Sequence, residues 1–452
     1  MLKNKIYKND LIRIKSASIL VAFLFLVGCK KEPVLQIDSL KNGTYFNETV
    51  KQLTDIIVHD VFSPPVASRI YAYPSIAAYE CLIFGNGNFM SMAGQLNGLN
   101  PIPKPKKEEV YNFEVAALKA YIDVGKSLVF SEEKFDPYEK ELFDKIKNDG
   151  LDKAILKRSL KYGELVALHI LEWVDKDNYK QTRTMSKYPV SEDDASWRPT
   201  PPDYMDGIEP DWNKIRTFII DSASQFIPDP PTPFNLKKGS VFYKEIMEVY
   251  NTGKNLNKEE DAIAKFWDCN PFVSHHQGHA MFATKKITPG GHWIGITSIA
   301  IKKQGLNFQE AVEAYTRVSV ALADAFISCW DEKYRSVLIR PETLINQYID
   351  ANWMPLLQTP PFPEYTSGHS VVSGAASVVL TDLFGDDFYF NDTSEVEFGL
   401  PTRQFNSFND AAEEAAISRL YGGIHYMPAI KNGVSQGRKV GGFVVNHLTT
   451  RK

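Results

Sequence analysis

Three short blocks in the C-terminal half bring together residue types that can do chemistry as a group. The first is Lys333-Tyr334-Arg335-Ser336-Val337-Leu338-Ile339-Arg340-Pro341, with Lys333 and Arg340 seven residues apart. The second is Pro360-Pro361-Phe362-Pro363-Glu364-Tyr365-Thr366-Ser367-Gly368-His369-Ser370. The third is Ser418-Arg419-Leu420-Tyr421-Gly422-Gly423-Ile424-His425. Each alone has an ordinary explanation. Lys333 and Arg340 read as a solvated basic face, Arg419 as compensation of a helix C-terminus, and His425 as a satisfied loop histidine. Together they supply three fixed cations, a hydroxyl, a glycine N–H and two imidazoles. Guanidinium forks grip tetrahedral oxyanions bidentately, and lysine adds a point charge. One imidazole can attack or coordinate a central atom while the other moves a proton. Such a set suits phosphate or a phosphate-like oxyanion.

The elements that position these blocks read as helices. An apolar small-residue run from Val371 to Leu380 follows Ser367-Gly368-His369 and reads as a buried helix. The tripeptide then sits at a helix N-terminus, where free N–H groups and the positive dipole end favour an anion. An apolar helix from Asp410 ends at Gly422-Gly423, with Arg419 in its last turn and His425 just past it. If the segment from Lys333 to Arg340 is helical, both cations share one face, and Pro341 ends the helix. Three- and four-residue apolar spacing predicts further helices within Thr49 to Trp173 and Phe242 to Trp330, with a last one over Ala429 to His447. Tyr179 to Leu236 is proline-rich but carries Trp197, Trp212 and Phe226, which predicts an ordered connection wrapping the body. The fold class is all-α.

The chain has 452 residues and a formal net charge of −4, so no basic field favours nucleic acid. Lys3, Lys5, Lys8, Arg13 and Lys15 precede an apolar stretch, Ser16 to Val27, that ends in Leu26-Val27-Gly28-Cys29. The apolar stretch is short for a membrane span, and its end reads as a lipobox. It predicts cleavage before Cys29, lipidation of its thiol and anchoring to a membrane surface. With no Asp after the cysteine, the expected location is the outer membrane of a Gram-negative envelope. The expected organisation is a lipoprotein signal peptide over 1–28 and a tether over 29–47. An N-terminal helical region with the proline-rich connection follows over 48–240, and a C-terminal helical bundle carrying the oxyanion site over 241–452. Cys81, Cys269 and Cys329 are an odd set and read as buried free thiols.

The order Lys-x6-Arg-Pro, Ser-Gly-His, Ser-Arg-x5-His resembles the signature of the type 2 phosphatidic acid phosphatase/haloperoxidase superfamily. Trp197 to Pro233 and Thr288-Pro289-Gly290-Gly291-His292-Trp293 look like bacterial vanadium-dependent haloperoxidases. Two departures stand out: Thr366 replaces the usual Pro before Ser-Gly-His, and Ala429 replaces the usual Asp four residues after the last His. In the phosphatases that Asp orients the nucleophilic histidine, so Ala429 favours the peroxidase branch, as do the chain length and the mean hydropathy of −0.26.

The resemblance implies helical bundles of the acid phosphatase/vanadium haloperoxidase type and vanadate as cofactor. It implies that Lys333, Arg340 and Arg419 neutralise the vanadate oxygens while Ser367 and Gly368 donate hydrogen bonds to them. His425 would be the axial vanadium ligand and His369 the acid–base group. Trp330 and Phe362 would line the halide site. The partners implied are hydrogen peroxide and a halide, with iodide expected because Phe362, not a histidine, stands at that position. Two other readings stay open. One is a phosphatase working through a phosphohistidine at His425. The other is a non-catalytic glycan-binding surface lipoprotein that uses Trp197, Trp212 and Tyr204 as sugar platforms.

Overall fold

The computed structural model describes residues 34–277, 280–283 and 285–452; the side chains of 275–284 are not described. Cys29 and the expected signal peptide over 1–28 lie outside the described residues. Among these residues fourteen α-helices form the body. The first six are α1 (Thr44–Asp60), α2 (Pro64–Leu82), α3 (Phe113–Lys126), α4 (Asp136–Asn148), α5 (Lys153–Val174) and the short α6 (Tyr179–Thr182). After the proline-rich connection come α7 (Val241–Lys254), α8 (Lys258–Phe266), α9 (Pro289–Gln304), α10 (Phe308–Ser336) and α11 (Pro341–Tyr348). The chain ends with α12 (Gly368–Phe384), α13 (Phe408–Tyr421) and α14 (Met427–His447). Two small antiparallel ribbons complete it: β1 (Ser274–Gln277) with β2 (Ala280–Ala283), and β3 (Phe390–Asp392) with β4 (Arg403–Phe405). The expected all-α class is the class observed. No helix of the described residues is long and apolar enough to cross a membrane.

Helix α10 is the axle of the body. Asn307 caps it in a reciprocal capping box with Glu310, which satisfies two of the orphan N–H groups at its start. Nearly every residue from Phe308 to Lys333 is buried, so the helix is enclosed all round rather than on one stripe. It packs against α2 on one side and α12 on the other. Phe46 in α1 meets Phe308 and Tyr315 of α10 edge-on or tilted. One apolar core therefore runs through both expected halves, and the boundary at residue 240 does not divide it. A second cluster gathers Phe242, Ile246 and Val249 of α7 with Ile345 and Tyr426. Ile37 and Leu40, which fall within the stretch 29–47 expected to be a tether, are buried in the main core.

The expectation of one helical face for Lys333 and Arg340 is corrected. Helix α10 ends at Ser336, and Val337 adopts a left-handed conformation with φ of 43°. A β-branched residue there costs on the order of 1–3 kcal/mol, and persists only where the surroundings over-determine it. Here the proline-rich connection supplies that restraint. The Trp197 N–H donates to the Val337 carbonyl at 2.6 Å, and the Ile339 N–H donates to the Ala195 carbonyl at 2.9 Å. Arg340 then becomes the N-cap residue of α11. The two cations reach the same place from two different helix ends. Trp197 and Trp212 are fully buried, as an ordered connection requires, and neither is available as a sugar platform.

The start of α12 is set by its close approach to α14. Gly433, Gly437 and Gly441 recur every four residues on α14 and lie against the α12 backbone. A Cβ on Gly437 would sit 1.9 Å from the Val371 carbonyl oxygen, and one on Gly441 2.5 Å from that of Ala375. Gly437→Ala is therefore expected to cost about 1–3 kcal/mol or more through overpacking. Gly442→Ala, with nothing within 4 Å of the new methyl, should instead add about 1 kcal/mol of helix propensity. Urea midpoints of the two variants check this pair of opposite signs.

Candidate active site

The three sequence blocks converge at the junction of α10, α11, α12 and α13. Lys333 leaves the last turn of α10, and its ammonium donates to the Pro363 carbonyl at 2.9 Å and the Glu364 carbonyl at 3.1 Å. Arg340 donates from Nε to the Phe362 carbonyl at 2.9 Å and from Nη1 to the Ile424 carbonyl at 2.8 Å. Arg419, in the last turn of α13, donates from Nη2 to the Trp267 carbonyl at 2.7 Å and from Nε to Ser418 Oγ at 2.9 Å. The three cations are 0%, 0% and 1% exposed. Among the described residues no carboxylate forms an ion pair with any of them. Asp268, the acid nearest in charge to Arg419, is itself paired with Lys286. Buried charge held by neutral acceptors, mostly carbonyls, leaves a concentrated positive field.

Ser367 is the N-cap residue of α12, and its hydroxyl accepts from the Ser370 N–H. Its own N–H donates to the Ala429 carbonyl at 3.1 Å, so α14 fixes it from below. A Cβ on Gly368 would be 3.6 Å from Trp330, an ordinary contact, so no neighbouring protein atom demands the glycine. Gly368 lines the same cavity as His369, Arg419, His425, Trp330 and Phe362. The glycine leaves that space, and its N–H, to a ligand.

The two histidines are prepared differently. His425 Nδ1 lies 2.8 Å from Glu364 Oε1, which also accepts the Tyr426 N–H at 2.9 Å. The carboxylate accepts a hydrogen bond from Nδ1–H and so leaves the Nε2 lone pair toward the cage, 3.2 Å from Arg340 Nη1. Burial, then Arg340 and Lys333, hold the His425 pKa well below the usual imidazole range. His369 makes a hydrogen bond with the Trp267 backbone, while its buried Nε2 has no partner. Burial, then Arg419 and His292, likewise keep it neutral. Burial pushes Glu364 up to about 7 against the pull of Arg340, and pushes Lys333 down to about 7. Trp330 and Phe362 meet at 5.0 Å between ring centroids. Phe362 also lies under Lys333 and Arg340, at 5.0 and 5.1 Å.

All seven expected cage residues and both halide-site aromatics are thus brought together. Glu364 and Trp267 are part of the site without having been expected. Glu364 supplies the orienting carboxylate that Ala429 lacks, so the argument drawn from Ala429 against a nucleophilic histidine loses its force. A sequence signal existed: a lone carboxylate in a proline- and aromatic-rich run needs a buried partner. Nothing in the sequence marks the Trp267 carbonyl.

Comparison with known proteins decides the family. The chain is similar over 94% of its length to the crystal structure of the first bacterial vanadium-dependent iodoperoxidase, with 53% identity, 99% of that chain covered and a TM-score of 0.87. The chain belongs to the vanadium-dependent haloperoxidases. Residues 313–451 match the VCPO second helical-bundle domain. Two crystal structures of bacterial vanadium-dependent chloroperoxidase share the fold at 16% identity. The holo form has a TM-score of 0.67 over 90% of this chain and 98% of that one, and the apo form 0.64 over 86% and 95%. No curated protein matches. The haloperoxidase is an enzyme, and membership implies vanadate as its cofactor. The residues present suit that anion: three buried cations with no paired acid, an unpartnered buried imidazole nitrogen, and a glycine facing the cavity.

A pH dependence follows from Lys333. With its pKa near 7 in the ligand-free protein, the amine is largely neutral above that pH, and binding an anion there must draw in a proton. Affinity for sulfate, whose charge is constant across this range, should fall as pH rises above about 7. In Lys333→Arg, which keeps its charge, the fall should become shallower, leaving only the part due to ionisation of Glu364 near the same pH. Calorimetric sulfate titrations at several pH values check both.

Proposed function

We propose that this haloperoxidase uses hydrogen peroxide to oxidise a halide, iodide foremost, to hypohalous acid. The observation that carries the choice of halide is the 53% identity to an iodoperoxidase along 94% of the chain. The aromatic wall of Trp330 and Phe362 supports it, because a soft, weakly hydrated anion suits a cavity side with no hydrogen-bond donor. The overall change is balanced. Halide, hydrogen peroxide and a proton become hypohalous acid and water; the halide loses two electrons and the O–O bond breaks.

Bound vanadate supplies a Lewis-acid centre that polarises the peroxide while keeping its own oxidation state. The chain's residues do the rest. Lys333, Arg340 and Arg419 hold the oxyanion's oxygens and offset charge that grows as the O–O bond lengthens. Ser367 Oγ and the Gly368 N–H donate to the same oxygens. His425 offers the Nε2 lone pair as ligand, and Glu364 keeps its ring in that tautomer. His369, neutral and open at Nε2, takes a proton from the incoming peroxide. Trp330 and Phe362 keep water from the side on which the halide approaches.

A phosphatase reading retains one specific support. Glu364 orients His425 as a nucleophile would need, and the same cations would stabilise a transferring phosphoryl group. The two are separated by one side-by-side assay. Vanadate-loaded enzyme with peroxide and iodide should give triiodide, lost in His425→Ala and barely changed by Phe226→Leu outside the cage. No turnover, with phosphate released from a phosphomonoester by the vanadate-free enzyme, reverses the assignment. Phe362→His, which adds a donor to the halide wall, should raise the bromide-to-iodide turnover ratio.

A further inference from the structure

Beside the cage, on side chains the reaction does not use, four buried residues from three segments meet. Cys269 follows α8, His292 lies in the first turns of α9, Asp392 ends β3, and Glu395 follows three residues later. His292 Nδ1 is 3.3 Å from Cys269 Sγ and 3.2 Å from Glu395 Oε1. Sγ and Oε1 are 3.7 Å apart, which closes a triangle of sulfur, nitrogen and oxygen. Zinc bonds of about 2.3 Å to sulfur and about 2.0–2.2 Å to nitrogen and oxygen place tetrahedral ligand atoms roughly 3.3–3.6 Å from one another. The triangle matches those edges to within a few tenths of an ångström.

The surroundings are those of a ligand set. His292 Nε2 lies 2.8 Å from Asp392 Oδ2. Asp392 is in turn held by the backbone N–H and hydroxyl of Ser394, at 2.9 and 2.5 Å. Asp392 accepts the Nε2–H hydrogen bond, so a cation that displaces the Nδ1 proton would find that nitrogen's lone pair aimed between Cys269 and Glu395, the arrangement that orients metal-bound histidines. The ring stacks on Trp267 at 4.4 Å and 19°. A hydrogen-bonded imidazolium between Asp392 and Glu395 would account for the two acids. It gives no reason for a thiol to share the Nδ1 face with Glu395.

We propose that Cys269, His292 and Glu395 bind one divalent cation of the zinc class, at a site separate from the oxyanion cage, with Asp392 as the positioning partner. The cation's place is structural. Trp267, on which His292 stacks, gives its backbone to both Arg419 and His369, so a fixed His292 braces that wall of the cage. Cys269 also lines the cage cavity, which provides a route in.

The test uses vanadate-loaded enzyme stripped of other cations with a chelator, then titrated with Zn²⁺ and separately with Co²⁺. Elemental analysis should find one zinc per chain, counted apart from vanadium. The cobalt form should show a thiolate-to-metal charge-transfer absorption together with the intense visible bands of a tetrahedral ion. Cys269→Ser should abolish the charge-transfer band and weaken zinc by about ten-fold or more, and Asp392→Asn should weaken zinc about 10–100-fold while keeping the band. Substoichiometric zinc, a cobalt spectrum without the thiolate band, or equal binding by Cys269→Ser would overturn the proposal. The wild-type spectrum decides it even if a variant fails to fold.

Discussion

Lys333, Arg340 and Arg419 place three positive charges where burial costs several kcal/mol per ion, and the protein meets them with carbonyl dipoles rather than carboxylates. That imbalance is the constraint on which the site depends. A paired acid would stabilise the protein alone and weaken the field that an oxyanion feels. Neutral acceptors fix the side chains and leave their charge unspent. The cost is visible in the groups themselves: burial lowers both arginines to about 10 and Lys333 to about 7.

The stretch from Pro360 to Glu364 is built for this task. Pro360, Pro361 and Pro363 have no N–H, so the segment offers acceptors with few competing donors. The carbonyls of Phe362, Pro363 and Glu364 all take hydrogen bonds from Lys333 or Arg340. The proline-rich connection pins the strap from outside, because the Ile208 N–H donates to the Pro361 carbonyl and the Ile208 carbonyl accepts from Trp330 Nε1. From inside, α14 approaches α12 through its glycines and holds Ser367 by the Ala429 carbonyl. Two distant parts of the chain thus hold the cage from opposite sides.

What was legible in the sequence, and what was not, follows from the range of each interaction. The cage residues could be read because their types are costly to bury and recur in fixed local frames: Arg419 in a last helical turn, Ser367 at an N-cap, His425 just past a Gly-Gly stop. The helices were legible from apolar spacing, and α12 as a buried helix from its small and apolar residues. The break at Val337 was not, because a valine in the left-handed region is held there by Trp197 and Ala195, about 140 residues away in the chain. The role of Glu364 was hidden for the same reason: its partner His425 is 61 residues further on. The Trp267 carbonyl is a backbone group, and backbone acceptors leave no mark on residue type. The core-packed residues Ile37 and Leu40 escaped because scattered apolar residues in a polar run show no period until their neighbours are known.

Three buried cations, unpaired among the described residues, define one oxyanion seat. Competitive calorimetry measures this most directly, with vanadate titrated into the cation-stripped protein in the presence and absence of phosphate. One vanadate should bind per chain and be displaced by phosphate at the same seat, with affinity lost in Lys333→Met and Arg419→Met. Vanadate binding that phosphate leaves untouched, or that survives both substitutions, would contradict it.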